Sequence, residues 1–310
     1  MDNSGAMWIL IANPTAAQVN PGDTHAFTPL FAALKERGRH CELVWTKAAG
    51  DGERLARKAA AEKAEVVIAV GGDGTLNEVA RGVMGTKTAM GIIPEGTVNV
   101  LAQALGSGLD IKAASANLLD GAPQPFWPGE INGLPFLIVA GIGLDAEVIK
   151  ATDLRLKKRI GRFAYPFTAV MKYGGLKKPA ITGAPLSRPA SMIAIGRTPL
   201  YAGAYPLMPD ADIFGRRFGM FAFHGTRRMQ ILKALYAIAW RGGKLPLEKI
   251  REISRGTGEQ FHFETPTPCP FQIDGDVRGE ATEFEIGVSK LPLLIWMPKV
   301  ADAQAGAQVK

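Results

Sequence analysis

Val66-Val67-Ile68-Ala69-Val70-Gly71-Gly72-Asp73-Gly74-Thr75-Leu76-Asn77-Glu78-Val79 is the stretch that decides the fold. Five consecutive apolar residues, mostly β-branched, read as a strand buried on both faces. The glycines behind them form a tight turn, and the residues after it start a helix. Such a turn brings backbone N–H groups and the positive end of a helix to one place, which suits a polyphosphate. Asp73 would repel bare phosphate. Its presence makes sense when a Mg²⁺ ion or a substrate hydroxyl stands between them, as in phosphoryl transfer. The alternative is a capping Asp at a ligand-free turn. The segment is not a Walker loop, because no Lys followed by Ser or Thr completes it.

Gly91-Ile92-Ile93-Pro94-Glu95-Gly96-Thr97-Val98-Asn99-Val100-Leu101-Ala102 repeats the pattern of strand, polar glycine turn and helix. Two such turns at the carboxyl ends of neighbouring strands face one crevice, the usual ligand position in open α/β sheets. Asn13, Thr46, Thr75, Thr97 and Asn99 are short polar residues at strand ends or helix starts, fit either to cap a helix or to line that crevice.

Outward from these turns, strands over 7–12, 41–46, 66–70 and 90–93 alternate with helices over 28–37, 52–63, 72–83, 98–105 and 111–119. The alternation predicts an α/β class with a doubly wound parallel sheet over residues 1–125. Gly and Pro cluster over 120–128, where a domain boundary is expected. Residues 126–290 predict a β-rich, sandwich-like domain, with strand runs over 126–131, 135–140, 190–196, 218–223, 259–264, 270–274 and 282–287. Two helical pieces, 156–173 and 226–240, interrupt it; the second is apolar nearly all round with arginines at its ends, and reads as a buried helix or, as the alternative, a membrane contact. A last strand is expected within 291–300, and 301–310 read as a disordered tail.

The motifs taken in order carry a family resemblance. Gly71–Glu78, then Ile93-Pro94-x-Gly96-Thr97-x-Asn99, resemble the diacylglycerol kinase catalytic domain family, which includes bacterial lipid kinases, sphingosine kinases and ceramide kinases. Phe136–Ala146 is similar to the strand and turn that open that family's second domain, Lys158–Tyr165 to its next basic helix, and Gln272–Asp276 to its Asp-Gly-Glu element. The resemblance covers most of residues 7–298 and implies an ATP- and Mg²⁺-dependent lipid kinase of phospholipid metabolism. The acceptor it implies is diacylglycerol, with ceramide or a sphingoid base as the alternative. It implies Asp73 as a catalytic and metal-binding residue, and an ATP site of Asn13, Thr46, Gly71, Gly72, Gly74, Thr75, Glu78, Gly96, Thr97 and Asn99. It implies a general base at Asp276, where the family has Glu; Glu280 stays open as the alternative base. It also implies a C-terminal strand that returns to the first domain. Three positions depart from the pattern: Val100 stands where the family often has Asp, Asp276 is one methylene short, and Phe214 replaces an Asp that helps bind a structural Mg²⁺. Asp210 or Asp212 could compensate for that last departure, which otherwise argues against a conventional structural metal site.

The chain has 310 residues and a net charge of +7. The excess suits an anionic lipid surface or an anionic substrate; no nucleic-acid motif accompanies it. Leu154–Lys178 carries eight basic residues and no acid, interleaved with apolar residues at near-helical spacing. A basic amphipathic segment reads as a membrane-surface element, here through Arg155, Lys157, Lys158, Arg159 and Arg162, or as a solvated basic face. No uncharged apolar run reaches membrane-spanning length. Two cysteines offer no disulfide framework, the N-terminus lacks a signal-peptide pattern, and the four histidines lack metal-ligand spacing. The expected location is cytoplasmic, peripheral at the inner membrane face, and a homodimer is left open. Two rivals remain: an NAD kinase-like enzyme, which also uses a Gly-Gly-Asp-Gly loop, and a non-catalytic lipid-binding or regulatory module of the same fold.

Overall fold

The computed structural model describes residues 6–15, 24–96, 98–108, 110–153, 155, 159–160, 164–172, 178–202, 204–240 and 247–298. Thr97, Lys157, Lys158, Arg162 and the 301–310 tail lie outside them. The described residues up to Phe126 and from Pro292 onward make one compact unit; those of Trp127–Leu291 make the other.

The first unit is built on β1 (Met7–Ala12), β2 (His40–Trp45), β3 (Val66–Gly71), β4 (Ala89–Pro94), β5 (Gly121–Phe126) and β14 (Leu293–Pro298), in the order β2-β1-β3-β4-β14-β5. The first four strands are mutually parallel, and β14 runs parallel to β4. The helices are α1 (Thr28–Glu36), α2 (Asp51–Ala61), α3 (Asp73–Val83), α4 (Val100–Leu105) and α5 (Ile111–Leu119). Trp8, Leu10, Val66, Ile68 and Val70 form a core with Leu30 and Leu34 of α1 and Ala114 and Leu118 of α5. The alternate residues Ile9, Ile11, Val67 and Ala69 are buried too, in strands that α2 contacts. Both faces are therefore covered, which is why β3 reads as an unbroken apolar run. Fully burying each large side chain contributes about 1.5–3 kcal/mol.

The winding reverses between β1 and β3. From β1 the chain crosses through α1 to β2 on one side; from β3 it crosses through α3 to β4 on the other. The parallel register aligns Ala12 with Trp45 and Val70, and Gly71 with Pro94, so four strands end along one edge. Sheets of this kind bind ligands at such a switch point, outside the carboxyl ends.

Residues 120–128 hold a strand the sequence reading did not anticipate. β5 contains Pro123 and Pro125, which suggest a linker. It sits at the sheet edge and pairs on one side only, with β14. Alternate prolines are tolerated there because the missing N–H groups fall on the unpaired side.

The second unit is one antiparallel sheet of eight strands: β6 (Gly129–Ile131), β7 (Leu134–Phe136), β8 (Val139–Gly143), β9 (Met192–Gly196), β10 (Phe218–Phe223), β11 (Ile253–Gly258), β12 (Phe261–Ile273) and β13 (Asp276–Val288). Their order is β11-β10-β9-β8-β12-β13-β6-β7. Phe136 of the end strand β7 packs 5.7 Å from Phe218 of β10, near the opposite end. The sandwich-like expectation is thus met by a single sheet that curls until its ends share a core. Two expected strands, 259–264 and 270–274, are one. The Thr265-Pro266-Thr267-Pro268 run suggests a break, but the pairing with β13 only slips there, between Glu264 and Cys269. β11 goes unanticipated because Ser254-Arg255-Gly256-Thr257-Gly258 is polar and glycine-rich.

Three helices complete the second unit: α6 (Leu144–Ala151), α7 (Ala164–Met171) and α8 (Arg228–Trp240). The expectation that α8 is buried is corrected. Ile231, Ala234 and Ala237 face inward, but Met229, Leu232 and Tyr236 are exposed. No helix among the described residues is long and apolar enough to cross a membrane, and Cys41 and Cys269 are both free thiols.

Candidate functional site

The polar residues at the carboxyl edge of the first sheet meet at the switch point. Asn13 follows β1, and its Nδ2 donates to Thr75 Oγ1 of α3 at 3.2 Å. Thr46 follows β2; it is buried, and its N–H donates to Ala12 O at 2.9 Å. The loops after β3 and β4 touch backbone to backbone: Glu95 N–H donates to Gly71 O at 2.9 Å. A Cβ placed on Gly96 would lie 2.5 Å from Gly72 Cα and 2.6 Å from Asn99 Oδ1. Only glycine fits that approach. A Cβ on Gly74 would meet nothing within 4 Å, so this backbone faces open space.

Asn99 adopts a left-handed conformation with φ 52° and clamps its own loop. Its Oδ1 accepts from Gly96 N–H and its Nδ2 donates to Gly96 O, both at 2.8 Å. Its side chain thereby shapes the second turn, which is a structural use of a residue expected in the ATP site.

Asp73 opens α3 and reaches across to the start of α4. Its Oδ2 accepts from Val100 N–H at 3.2 Å and its Oδ1 from Leu101 N–H at 3.3 Å. A carboxylate has about four acceptor positions, so each oxygen keeps one lone pair for a further partner. Burial raises the Asp73 carboxyl above its ordinary value, with those two N–H donors opposing the rise. Of the expected ATP-site residues, Glu78 stands apart. Its oxygens accept from Gly50 and Gly52 N–H at 2.8 and 2.9 Å, fastening α3 to the start of α2.

Asp276 belongs to the second unit. Asp274 and Gly275, with φ 50° and 93°, make the tight Asp-Gly turn between β12 and β13, a two-residue hairpin of the favoured type. Asp276 follows it, exposed, 3.5 Å from Arg278. Glu280 lies 3.4 Å from Lys150 of α6. Asp274 anchors the hairpin by accepting from the N–H groups of Leu137, Ile138 and Val139, each at 2.8 Å.

A buried polar cluster behind that hairpin escapes the sequence reading. Asp145, at the start of α6, accepts from the Tyr201 hydroxyl and from Gln272 Nε2, the latter at 2.9 Å. Gln272 Oε1 in turn accepts from Gly275 N–H at 2.7 Å. A Cβ on Gly141 would sit 1.8 Å from Asp145 Oδ2, so the neighbouring strand must present glycine there. Burial raises the Asp145 carboxyl and, with Asp145 alongside, pushes the Tyr201 phenol well above its ordinary value. Nothing in the local sequence links Tyr201 to a partner so far along the chain.

The residues around Phe214 do not fit the structural Mg²⁺ that the resemblance implies. Phe214 offers no ligand, and Asp212 Oδ1 accepts Phe214 N–H at 3.0 Å. The carbonyl oxygens of Ile213 and Gly215, oxygens of the kind a hard cation takes, accept from Arg197 Nη2 at 2.7 and 2.8 Å. Arg197 is fully buried. Burial lowers it to about 10, opposed by nearby Asp212, so it keeps its charge at neutral pH. A protein cation thus holds this loop. We expect a chelator to leave the unfolding temperature unchanged and Arg197→Met to lower it, since each orphaned buried carbonyl costs about 1–3 kcal/mol. Thermal unfolding with and without EDTA checks both.

The first unit is an α/β domain with two glycine turns and a carboxylate at the carboxyl edge of its sheet, and the same chain continues into an antiparallel β domain. Residues 7–131 match the family model described as the diacylglycerol kinase catalytic domain. It is 37% identical over 123 residues to a protein named diacylglycerol kinase from Bacillus subtilis, covering 39% of this chain and 41% of that one. It is 33% identical over 186 residues to one named "Probable lipid kinase YegS-like" from Pseudomonas syringae, covering 58% and 61%. The chain therefore spans less than two thirds of either relative. A solved diacylglycerol kinase structure from Bacillus anthracis has the same fold, with TM-score 0.67 at 20% identity over 92% of this chain and 94% of that one. An NAD kinase from Archaeoglobus fulgidus in complex with ATP matches with TM-score 0.51 at 13% identity over 94% of each chain.

Proposed function

We propose that the protein is an ATP-dependent lipid kinase that transfers the γ-phosphoryl group to a hydroxyl of a membrane lipid, diacylglycerol first and a ceramide or sphingoid base second. The observation that carries this reading is the backbone contact between Gly72 and Gly96 at the switch point, with Asp73 beside it and Gly74 open to solvent. Phosphoryl transfer leaves little covalent work to the protein, so positioning and charge neutralisation dominate. Backbone N–H groups of the glycine turn would cradle the phosphates. Asp73 keeps lone pairs that fit a Mg²⁺ accompanying the nucleotide, and such an ion supplies neutralisation of the developing charge. Asp276 would take the proton of the attacking lipid hydroxyl as its oxygen bonds to the γ-phosphorus and ADP leaves. Arg155, Lys157, Lys158, Arg159 and Arg162 would hold the protein reversibly at the anionic inner membrane face from the cytoplasmic side.

The reading separates two glycines. Gly96→Ala is expected to cost about 1–3 kcal/mol of stability through overpacking against Gly72. Gly74→Ala is expected to leave stability unchanged and to weaken ATP binding, because its methyl would occupy space reserved for phosphate. Thermal unfolding and an ATP titration on both variants check this.

Labelled ATP and Mg²⁺, incubated with a total lipid extract or with NAD, test the function. A labelled lipid supports the proposal and identifies the acceptor. Label in NAD selects the NAD kinase reading, and no product at all selects the non-catalytic module.

A further inference from the structure

The inward faces of α7 and α8 are buried by small or aliphatic residues: Ala164, Thr168 and Ala169 on α7; Ile231, Ala234 and Ala237 on α8. The two helices also contact each other. Their outward faces are unusual. Phe167 is 50% and Met171 61% exposed, one turn apart on α7; Met229, Leu232 and Tyr236 are 64%, 37% and 59% exposed along one stripe of α8. Ten large apolar side chains are exposed among the described residues, and these five account for half. Single exposed apolar residues are ordinary, but a contiguous group marks an interaction surface.

The charge around this surface has one sign. Residues 164–172 and 227–240 contain Lys172, Arg227, Arg228 and Lys233 and no acid, and all four are exposed. Glu252, close to the start of α8, accepts from Gln230 Nε2 at 3.2 Å. Arg155 and Arg159, earlier in the same unit, are exposed as well. An apolar stripe with basic residues beside it matches an anionic bilayer: apolar side chains enter the acyl boundary while Lys and Arg reach phosphate headgroups. A second copy fits less well. A two-fold contact would set each basic cluster against its own image.

We propose that α7 and α8 together form the bilayer-docking face of the second unit, with Phe167, Met171, Met229, Leu232 and Tyr236 inserting and the surrounding basic residues binding anionic headgroups. This deepens the reading of a membrane-lipid acceptor and rests on it, yet its test needs no turnover. It joins α7 to α8, for which the sequence leaves burial and membrane contact as alternatives, in one face with named inserting side chains.

The test uses the full chain, vesicles of phosphatidylglycerol mixed with phosphatidylcholine, and vesicles of phosphatidylcholine alone. Wild type is expected to co-sediment with the anionic vesicles and at least tenfold less with the neutral ones. Met229→Ser combined with Leu232→Ser is expected to weaken anionic-vesicle binding at least tenfold at an unchanged unfolding temperature. Tyr236→Trp supplies a reporter expected to shift its emission to the blue on anionic vesicles. Undiminished binding by the double variant, or an unshifted reporter, would overturn the assignment. So would a wild-type dimer that the double variant converts to monomer, which would make a second copy the occupant. A protein that binds vesicles through this face yet phosphorylates no lipid would leave the docking face standing and remove the kinase reading.

Discussion

Asp73→Ala is expected to lower lipid phosphorylation at least about 10²-fold, the scale on which removing one preorganised electrostatic group slows an enzyme. The alanine variant makes two changes at once. It removes charge from the glycine turn, and it strips the start of α4 of the acceptor for Val100 and Leu101 N–H. Asp73→Asn separates them, because the amide keeps one oxygen for α4 while losing the charge. If charge is what matters, both variants lose turnover equally, while alanine, which loses both acceptors of the α4 N–H groups, loses more stability than asparagine, which loses one. The pH dependence has a definite sign. Burial raises the Asp73 carboxyl above its ordinary 3.8, and the proposed metal-binding role needs the ionised form. Activity should therefore rise with pH through a value above 3.8, and Asp73→Asn should lack that acidic limb. Stability responds oppositely: the contribution of this group is fully present below 3.8 and is lost as pH rises through the raised value. Steady-state rates and unfolding midpoints across acidic pH check both.

Asp276→Asn is expected to lose about 10²–10⁴-fold in turnover while ATP affinity stays near wild type, because a general base acts in the transition state and not on bound nucleotide. The hairpin should survive the change, since it is held by Asp274 and by Gln272, and Asp276 contributes only an exposed pairing with Arg278. Asp276→Glu restores the residue type the family resemblance implies and should keep measurable activity. An unaffected Asp276→Asn together with an inactive Glu280→Gln would transfer the role to Glu280.

The first unit was legible where one local rule acted alone. The Val66–Val70 run announces a strand covered on both faces, and the glycines at 71, 72, 74 and 96 announce turns where backbones approach each other or a ligand. Reading failed where tertiary context overrode local preference. Pro123 and Pro125 break strands in general but not at an edge, and no local signal says that β5 is an edge. The prolines at 266 and 268 fall where β12 slips against β13, so a break was inferred in a continuous strand. Composition alone could not divide α8 into a buried stripe of Ile231, Ala234 and Ala237 and an exposed one of Met229, Leu232 and Tyr236. Asp145 with Tyr201, and Arg197 with the Ile213 and Gly215 carbonyls, are contacts of folded topology with no period or spacing to reveal them.

We propose that the glycine turns after β3 and β4, with Asp73, serve the transfer of the γ-phosphoryl group from ATP to a lipid hydroxyl. The most direct test is transfer of label from γ-labelled ATP to diacylglycerol presented in anionic vesicles, with wild type and Asp73→Asn compared at equal nucleotide occupancy. Labelled lipid is expected from wild type and at least about 10²-fold less from Asp73→Asn. Equal labelling by the two proteins would contradict the proposal.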